Sequence, residues 1–204
     1  QGTAYNWGKR RLISLKEEAA AKGAETGDVH ANPPVISVTQ ANLKDEWQRL
    51  ESLGADLVII DTPARLDAWA LDAAGLADIV IVPSKPTIKD LERIEASIRL
   101  AWMPGERPAF VVLNQVRPQG DRTEQAIEFI KSKSYPVCPT GFGSRVAFED
   151  ADTFGRTPQE LEPSGRAAEE IKAVYRYTAK LLKQLHKEKD DDGKAKTKSR
   201  RRTG

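Results

Sequence analysis

The stretch "LVIIDTPARLDAWALDAAGLADIVIVPSKPTIKDL", residues 57–91, decides how the chain is read. Four apolar residues, Leu57 to Ile60, run straight into Asp61, and a Thr62-Pro63 turn follows. After a helical segment, a second apolar run ends at Pro83. Runs of Val and Ile without polar alternation suit strands buried on both faces, as in a parallel sheet between helix layers. A carboxylate at the tip of such a strand is costly unless it is paired or binds a metal. Four apolar residues followed by Asp form a pattern in which the carboxylate helps to hold Mg2+ beside a nucleotide. An Asp61 that caps the next turn through Thr62 explains the residue equally well.

Working outward, strands and helices alternate. Residues 4–22 are expected to be helical, with Leu12, Ile13 and Leu15 on the apolar face and Gly23 as the stop. "PPVISVT" (33–39) is expected as a short strand. Residues 42–53 are expected as a helix capped by Asn42, with Leu43, Trp47, Leu50 and Leu53 at helical spacing and Gly54 as its end. "DLVIID" (56–61), "DIVIVP" (78–83) and "PAFVVLN" (108–114) are expected as buried strands, and "YPVCPT" (135–140) as a short one. Helices are expected over 66–77, 87–102, 122–133, 145–154 and 165–188. Ile88, Leu91, Ile94 and Ile98 fall on one side of the 87–102 helix. The fold class is therefore α/β, a mostly parallel sheet flanked by helices on both faces. In such sheets ligands sit at the carboxyl ends of the strands, where Asp61, Pro83–Lys85, Asn114 and Thr140–Gly141 fall.

The 204 residues divide into a folded body, 1–189, and a basic tail, 190–204. Residues 194–204 carry Lys194, Lys196, Lys198, Arg200, Arg201 and Arg202 and no acid, so the net charge of +2 conceals an acidic body. With no apolar residue beyond Ala195, the tail is expected to be disordered, either a solubilising end or an arm for phosphates. No apolar stretch approaches the ~18 residues of a membrane span, and the N-terminus has no apolar region of a signal peptide. Cys138 is the single cysteine, which suits the cytosol, and between Val137 and Pro139 it reads as a buried structural residue. His30 and His186 lack metal-ligand neighbours.

The order and spacing of "VIIDTPARLD", "ALDAAGLADIVIVPSKPTIKDLERI", "FVVLNQVRPQGDRTEQAIEFI" and "GFGSRVAFEDADTFGRTPQELEPSGRAAEEIKAVYRYTAKLL" resemble the ParA/MinD-type partition ATPases, especially small plasmid-type ParA proteins. The resemblance covers residues 1 to about 185. It implies a three-layer P-loop NTPase fold with Asp61 as the Walker B carboxylate and Mg2+ ligand, and Thr62-Pro63 as the start of the second switch. It implies that Asn114 hydrogen-bonds adenine, since an amide side chain both donates and accepts. Arg145 matches an Arg near surfaces linked to dimerisation and DNA binding. ATP, a nucleotide-dependent homodimer, non-specific DNA, a centromere-binding partner protein, a nucleoid-associated cytoplasmic location and no membrane follow from the same resemblance.

One departure is large. The family's phosphate-binding loop ends in Gly-Lys-Ser/Thr, but Gly8-Lys9 is followed by Arg10 and Gly193-Lys194 by Ala195. Gly141-x-Gly143 leads into Ser144-Arg145 with no Lys. The first strand and its loop are expected to precede Gln1, in a chain whose only Met is Met103, and these residues alone are expected not to hydrolyse ATP. Two other classes remain: a non-catalytic binding module of the same fold, and a MinD-like membrane-surface ATPase. The latter needs a C-terminal helix with a bulky apolar face, which "HKEKDDDGKAKTKSRRRTG" lacks.

Overall fold

The computed structural model describes residues 3–200 apart from 64, 66 and 118, with side chains through Glu188. Its centre is strand β2, Ala109–Leu113, buried at every position. Successive strand residues point to opposite faces, so β2 feeds two cores. Ala109, Val111 and Leu113 pack with Val82, Ile94, Ile98, Ala101, Ala126 and Ile130. Phe110 and Val112 pack with Cys138 and Val174, and the Phe110 ring meets Tyr177 edge to face at 5.1 Å. Helices α4 (Ile88–Trp102) and α5 (Arg122–Ser132) supply the first core, and α8 (Arg166–Arg200) supplies the second. The result is helix, sheet, helix in three layers.

Strand β1, Val80–Ser84, pairs in parallel with β2, from Val80 opposite Ala109 to Ser84 opposite Leu113. On the other side of β2, the Val111 N–H donates to the Pro136 carbonyl and the Cys138 N–H to the Val111 carbonyl, both at 2.8 Å. That single parallel bridge is what "YPVCPT" becomes. Parallel neighbours need long crossovers, and α4 and α5 are those crossovers. Helix α4 starts where Thr87 accepts the Asp90 N–H, and α3 (Ala68–Leu76) where Asp67 accepts the Ala70 N–H. Leu91, Ile94, Ile98 and Ala101 form the inward stripe of α4; Ile88, expected with them, is 76% exposed.

Helix α1 (Thr3–Ala21) is held by charge more than by apolar contact. Its buried positions are Gly8 and Arg11, while Ile13, expected inward, is exposed. Arg11 donates to the Asn32 carbonyl at 2.6 Å, to the Gly155 carbonyl at 3.1 Å, and through both terminal nitrogens to Glu160 at 3.0 and 2.8 Å. Arg10 pairs with Asp152, and Arg156 with Glu18. The backbones come so close that a Cβ on Gly155 would lie 2.1 Å from the Arg11 nitrogen. The segment so gripped holds α6 (Val146–Thr153), expected as a helix over 145–154, and the short α7 (Pro158–Leu161), for which the sequence reading gives no element.

The structure departs from expectation in the first third of the chain. Neither 33–39 nor 56–61 is a strand. A strand exists only as part of a ladder, and neither segment has a neighbour that satisfies its backbone groups in register. Leu57 and Ile59, expected to be buried, are 63% and 84% exposed. Helix α2 (Leu43–Ser52) forms as expected between them, but Asn42 makes no side-chain cap. At the other end, the backbone expected to be disordered from 190 is helical to Arg200. Extending a nucleated helix costs far less than starting one, and its Lys, Asp and Ala positions all accept helical geometry. Among the described residues no helix is long and apolar enough to cross a membrane.

Arg11 holds the Glu160 carboxyl down to about 2 from its usual 4.5. A depressed acid stabilises the folded state above its unfolded pKa and loses that contribution as pH falls towards the folded value. The thermal midpoint is therefore expected to fall between about pH 4.5 and 2 in the parent, less steeply in Glu160→Gln. Glu160→Gln is also expected to melt lower near neutral pH, because Arg11 keeps its burial and loses its charge partner. Equal midpoints at neutral pH would remove the pair from the list of stabilising contacts.

Candidate functional site

The carboxyl ends of the central strands open into a cleft of about 370 Å3, within the range of small-molecule sites. It is lined by Asn114 and Gln115 from the tip of β2, by Phe142 to Arg145, and by the helix residues Phe148, Glu149 and Ile171. The tip of β2 is fixed from both sides. The Asn114 N–H donates to the Ser84 carbonyl at 2.7 Å, which ties it to β1. The Phe142 N–H donates to the Leu113 carbonyl, the Val116 N–H to Phe142, and the Ser144 N–H to Val116, at 2.8 to 2.9 Å.

This lattice explains the two glycines of "GFGSR". A Cβ on Gly141 would stand 2.6 Å from the Leu113 carbonyl oxygen, so the loop reaches the strand only without a side chain. A Cβ on Gly143 would stand 2.9 to 3.1 Å from Nε, Cζ and Nη2 of Arg145. Neither position serves as a phosphate-binding loop. The glycines let a wall close against β2 and let a guanidinium lie on that wall.

The polar chemistry is concentrated at two points. At one, the Asn114 side-chain oxygen accepts the Gln115 N–H at 2.8 Å, and Gln115 sits at φ +54, a conformation rare outside glycine. The oxygen keeps a second lone pair, and the amide nitrogen carries two donors. At the other, Glu170 of α8 accepts the Gly143 N–H at 3.0 Å and the Arg145 Nε and Nη2 at 3.0 and 2.5 Å. The Glu170 hydrogen bond raises the Arg145 pKa further. The Phe142 and Phe148 rings meet edge to face at 5.8 Å and give the cleft an apolar wall. An apolar wall, a planar cation and an amide that both donates and accepts suit a flat heteroaromatic ring.

The structure brings together two of the candidate residues, Asn114 and Arg145. Asp61 and Thr62 are exposed, Pro63 is half-buried, and none of the three lines the cleft. No group of three or more metal-ligating side chains is present among the described residues. Lys194, Lys196, Lys198 and Arg200 have backbones in the last turns of α8, with side chains outside the described set; Arg201 and Arg202 lie outside the described residues. Cys138 is buried, and burial pushes its thiol pKa up, so it packs as a small apolar residue. Sequence reasoning missed Phe148, Glu170 and Ile171. Their helical pattern gives no hint that they converge on a strand tip tens of residues earlier.

The residues present thus fit the base of a nucleotide and not its phosphates or a metal ion. Comparison with known proteins agrees with this architecture. The chain is 31% identical over 185 residues to the maintenance of carboxysome distribution protein A of Gloeobacter kilaueensis, covering 89% of this chain and 76% of that protein. Its fold matches the MinD cell division protein of Aquifex aeolicus with a TM-score of 0.57 at 14% sequence identity, over 71% of this chain and 63% of that one. The chain therefore spans less than two thirds of the length of the Aquifex protein. No family model matches the chain.

The close approach at residue 141 makes a direct test of the wall. Gly141→Ala is expected to lower stability by roughly 1–3 kcal/mol, because a backbone oxygen cannot move aside. Gly27→Ala, in open space, is expected to stay within about 0.5 kcal/mol of the parent. Chemical denaturation of the two variants reads the difference; equal costs would mean that the loop does not rest on the Leu113 carbonyl.

Proposed function

The chain belongs to the ParA/MinD-type ATPase family, and we propose that it is a cargo-positioning ATPase of the ParA kind whose cleft binds the base of the nucleotide. The observation that carries this is Asn114 at the tip of β2, facing an apolar cleft large enough for adenine. ATP and Mg2+ are the ligands that ParA/MinD-like ATPases use. In this reading Asn114 recognises the adenine edge, and Asp61 is the Walker B carboxylate that reaches Mg2+ once its segment is paired into the sheet. Thr62-Pro63 begins the switch that reports nucleotide state. No Gly-Lys-Ser/Thr string, which would cradle the phosphates, occurs within these 204 residues.

The further properties follow the same reading: a nucleotide-dependent homodimer, non-specific DNA as the surface it travels on, and a centromere-binding protein that stimulates hydrolysis on a plasmid or chromosome cargo. The basic end of α8 supports the DNA contact. A second reading changes only the cargo. The relative in Gloeobacter is named for carboxysome distribution, so a protein compartment can stand where the plasmid does. A MinD-like ATPase working at a membrane surface is compatible with the same fold likeness, although residues 186–204 themselves hold no large apolar side chain.

Three outcomes test the reading. The 204-residue chain is expected to show no Mg2+-dependent ATP hydrolysis, because no Gly-Lys-Ser/Thr loop occurs within it to bind phosphate and stabilise the developing charge. Turnover that is lost in Asp61→Ala would overturn this. The chain is expected to bind adenosine more tightly than guanosine, and Asn114→Ala to erase roughly 1–3 kcal/mol of that preference; calorimetry that finds no preference in the parent rejects Asn114 as the base reader. Deleting residues 194–204 is expected to flatten the salt dependence of DNA binding by up to about 5 in slope, at ~0.9 per phosphate contact for six cations. An unchanged slope would make the tail a solubilising end.

A further inference from the structure

The geometry of Arg145 points to a role inside the cleft. We propose that Arg145 is a stacking wall for the bound base and that Glu170 is the residue that positions it; the proposal rests on the reading of the cleft as a base site. Three atoms of the guanidinium, Nε, Cζ and Nη2, lie at nearly equal distances, 2.9 to 3.1 Å, from the point where a Gly143 Cβ would be. Near-equal distances mean that the planar group presents one face broadside to Gly143. Its Nε–Nη2 edge is occupied, because one oxygen of Glu170 accepts from both nitrogens. The other Glu170 oxygen accepts the Gly143 N–H, so one carboxylate fixes the guanidinium and the glycine beneath it together.

One face of Arg145 is turned to Gly143, and the residue lines the same cleft as Asn114, so it is the second face that would meet the base. A planar, weakly hydrated cation with one edge satisfied is suited to stack on an aromatic ring. The same arrangement works against a DNA contact. Bidentate recognition of a phosphate uses a guanidinium edge, and with the Nε–Nη2 edge taken by Glu170 only the Nη1–Nη2 edge is left for one. The pair is also sheltered, with side-chain exposures of 27% for Arg145 and 16% for Glu170. Glu170 belongs to the first turns of α8, so the helix that carries the basic C-terminal residues is fastened directly to the wall of the base site.

Adenosine binding to the 204-residue chain, followed by NMR titration, tests this. Arg145→Ala is expected to weaken adenosine roughly tenfold, and Arg145→Lys to restore little, since an ammonium offers no plane. Glu170→Ala is expected to weaken it by a smaller factor. The Arg145→Ala/Glu170→Ala double variant is expected to lose no more than Arg145→Ala alone, a coupling that a purely structural Glu170 would not show. Gly143→Ala, which displaces the guanidinium while leaving both charges, serves as a second probe and is expected to weaken adenosine too. The salt dependence of DNA binding is expected to be the same in Arg145→Ala and parent. If Arg145→Ala binds adenosine like the parent while Asn114→Ala does not, the stacking role is overturned and the base site stands. If the parent binds no adenosine, the base site itself falls and the stacking role with it. A reduced DNA salt slope in Arg145→Ala with adenosine unaffected would return the residue to the DNA surface.

Discussion

The fold depends on the two-sided ladder of β2. It is bonded along its whole length to β1 and, through Val111, to residues 136–138. Because both edges are satisfied, both faces are free to be buried, and every residue from Ala109 to Leu113 is. The two cores are then obligatory, since alternate side chains must leave in opposite directions. Helices α4 and α5 cover one and α8 the other. The site inherits this rigidity. Asn114 is the first residue past the ladder, and it is held by Ser84 of β1 on one side while Leu113, beside it, holds Phe142 on the other. A base reader placed there cannot drift.

The contrast between "FVVL" and "LVII" shows what sequence patterning encodes. Both are unbroken apolar runs of β-branched and aliphatic residues, and both read as buried strands. One is the centre of the sheet; the other is extended chain with Leu57 and Ile59 in solvent. Composition records that a segment needs burial and partners, but it does not record whether those partners are present. The helices were legible because each carries its own hydrogen bonds, and their apolar stripes and caps are local. Helix α1 was legible as a helix but not in how it is held, since Ile13 of its expected apolar face is exposed. Its anchor is Arg11, whose partners Asn32, Gly155 and Glu160 are reached only through the tertiary fold.

The candidate site divides along the same line. Asn114 could be picked out because it ends an apolar run, and Arg145 through the family resemblance of its segment. Glu170 could not, since a second Glu in a charged helix looks like any solvated pair. Glu169 beside it is one: it bonds Lys172 on the exposed side of α8. The 3.6-residue period of the helix turns one Glu outward and its neighbour onto Gly143 and Arg145. Only the position of the β2 tip decides which of the two reaches the wall of the cleft.

The asymmetry of the cleft follows from the asymmetry of the sheet. Its base end is built on β2 and the 136–145 segment, which pair with each other, so it is complete within the described residues. Its phosphate end would have to be built around Asp61, whose segment has no ladder and whose carboxylate is exposed. An isolated exposed carboxylate holds a divalent ion poorly, because Mg2+ keeps most of its waters and needs further oxygens in near-octahedral geometry. Pairing residues 57–61 into the sheet would bury Leu57 and Ile59 and carry Asp61 to the strand-end face in one step. The apolar burial that would extend the sheet and the placement of the Asp61 carboxylate are then the same event. The base end, resting on strands already paired, does not wait for it.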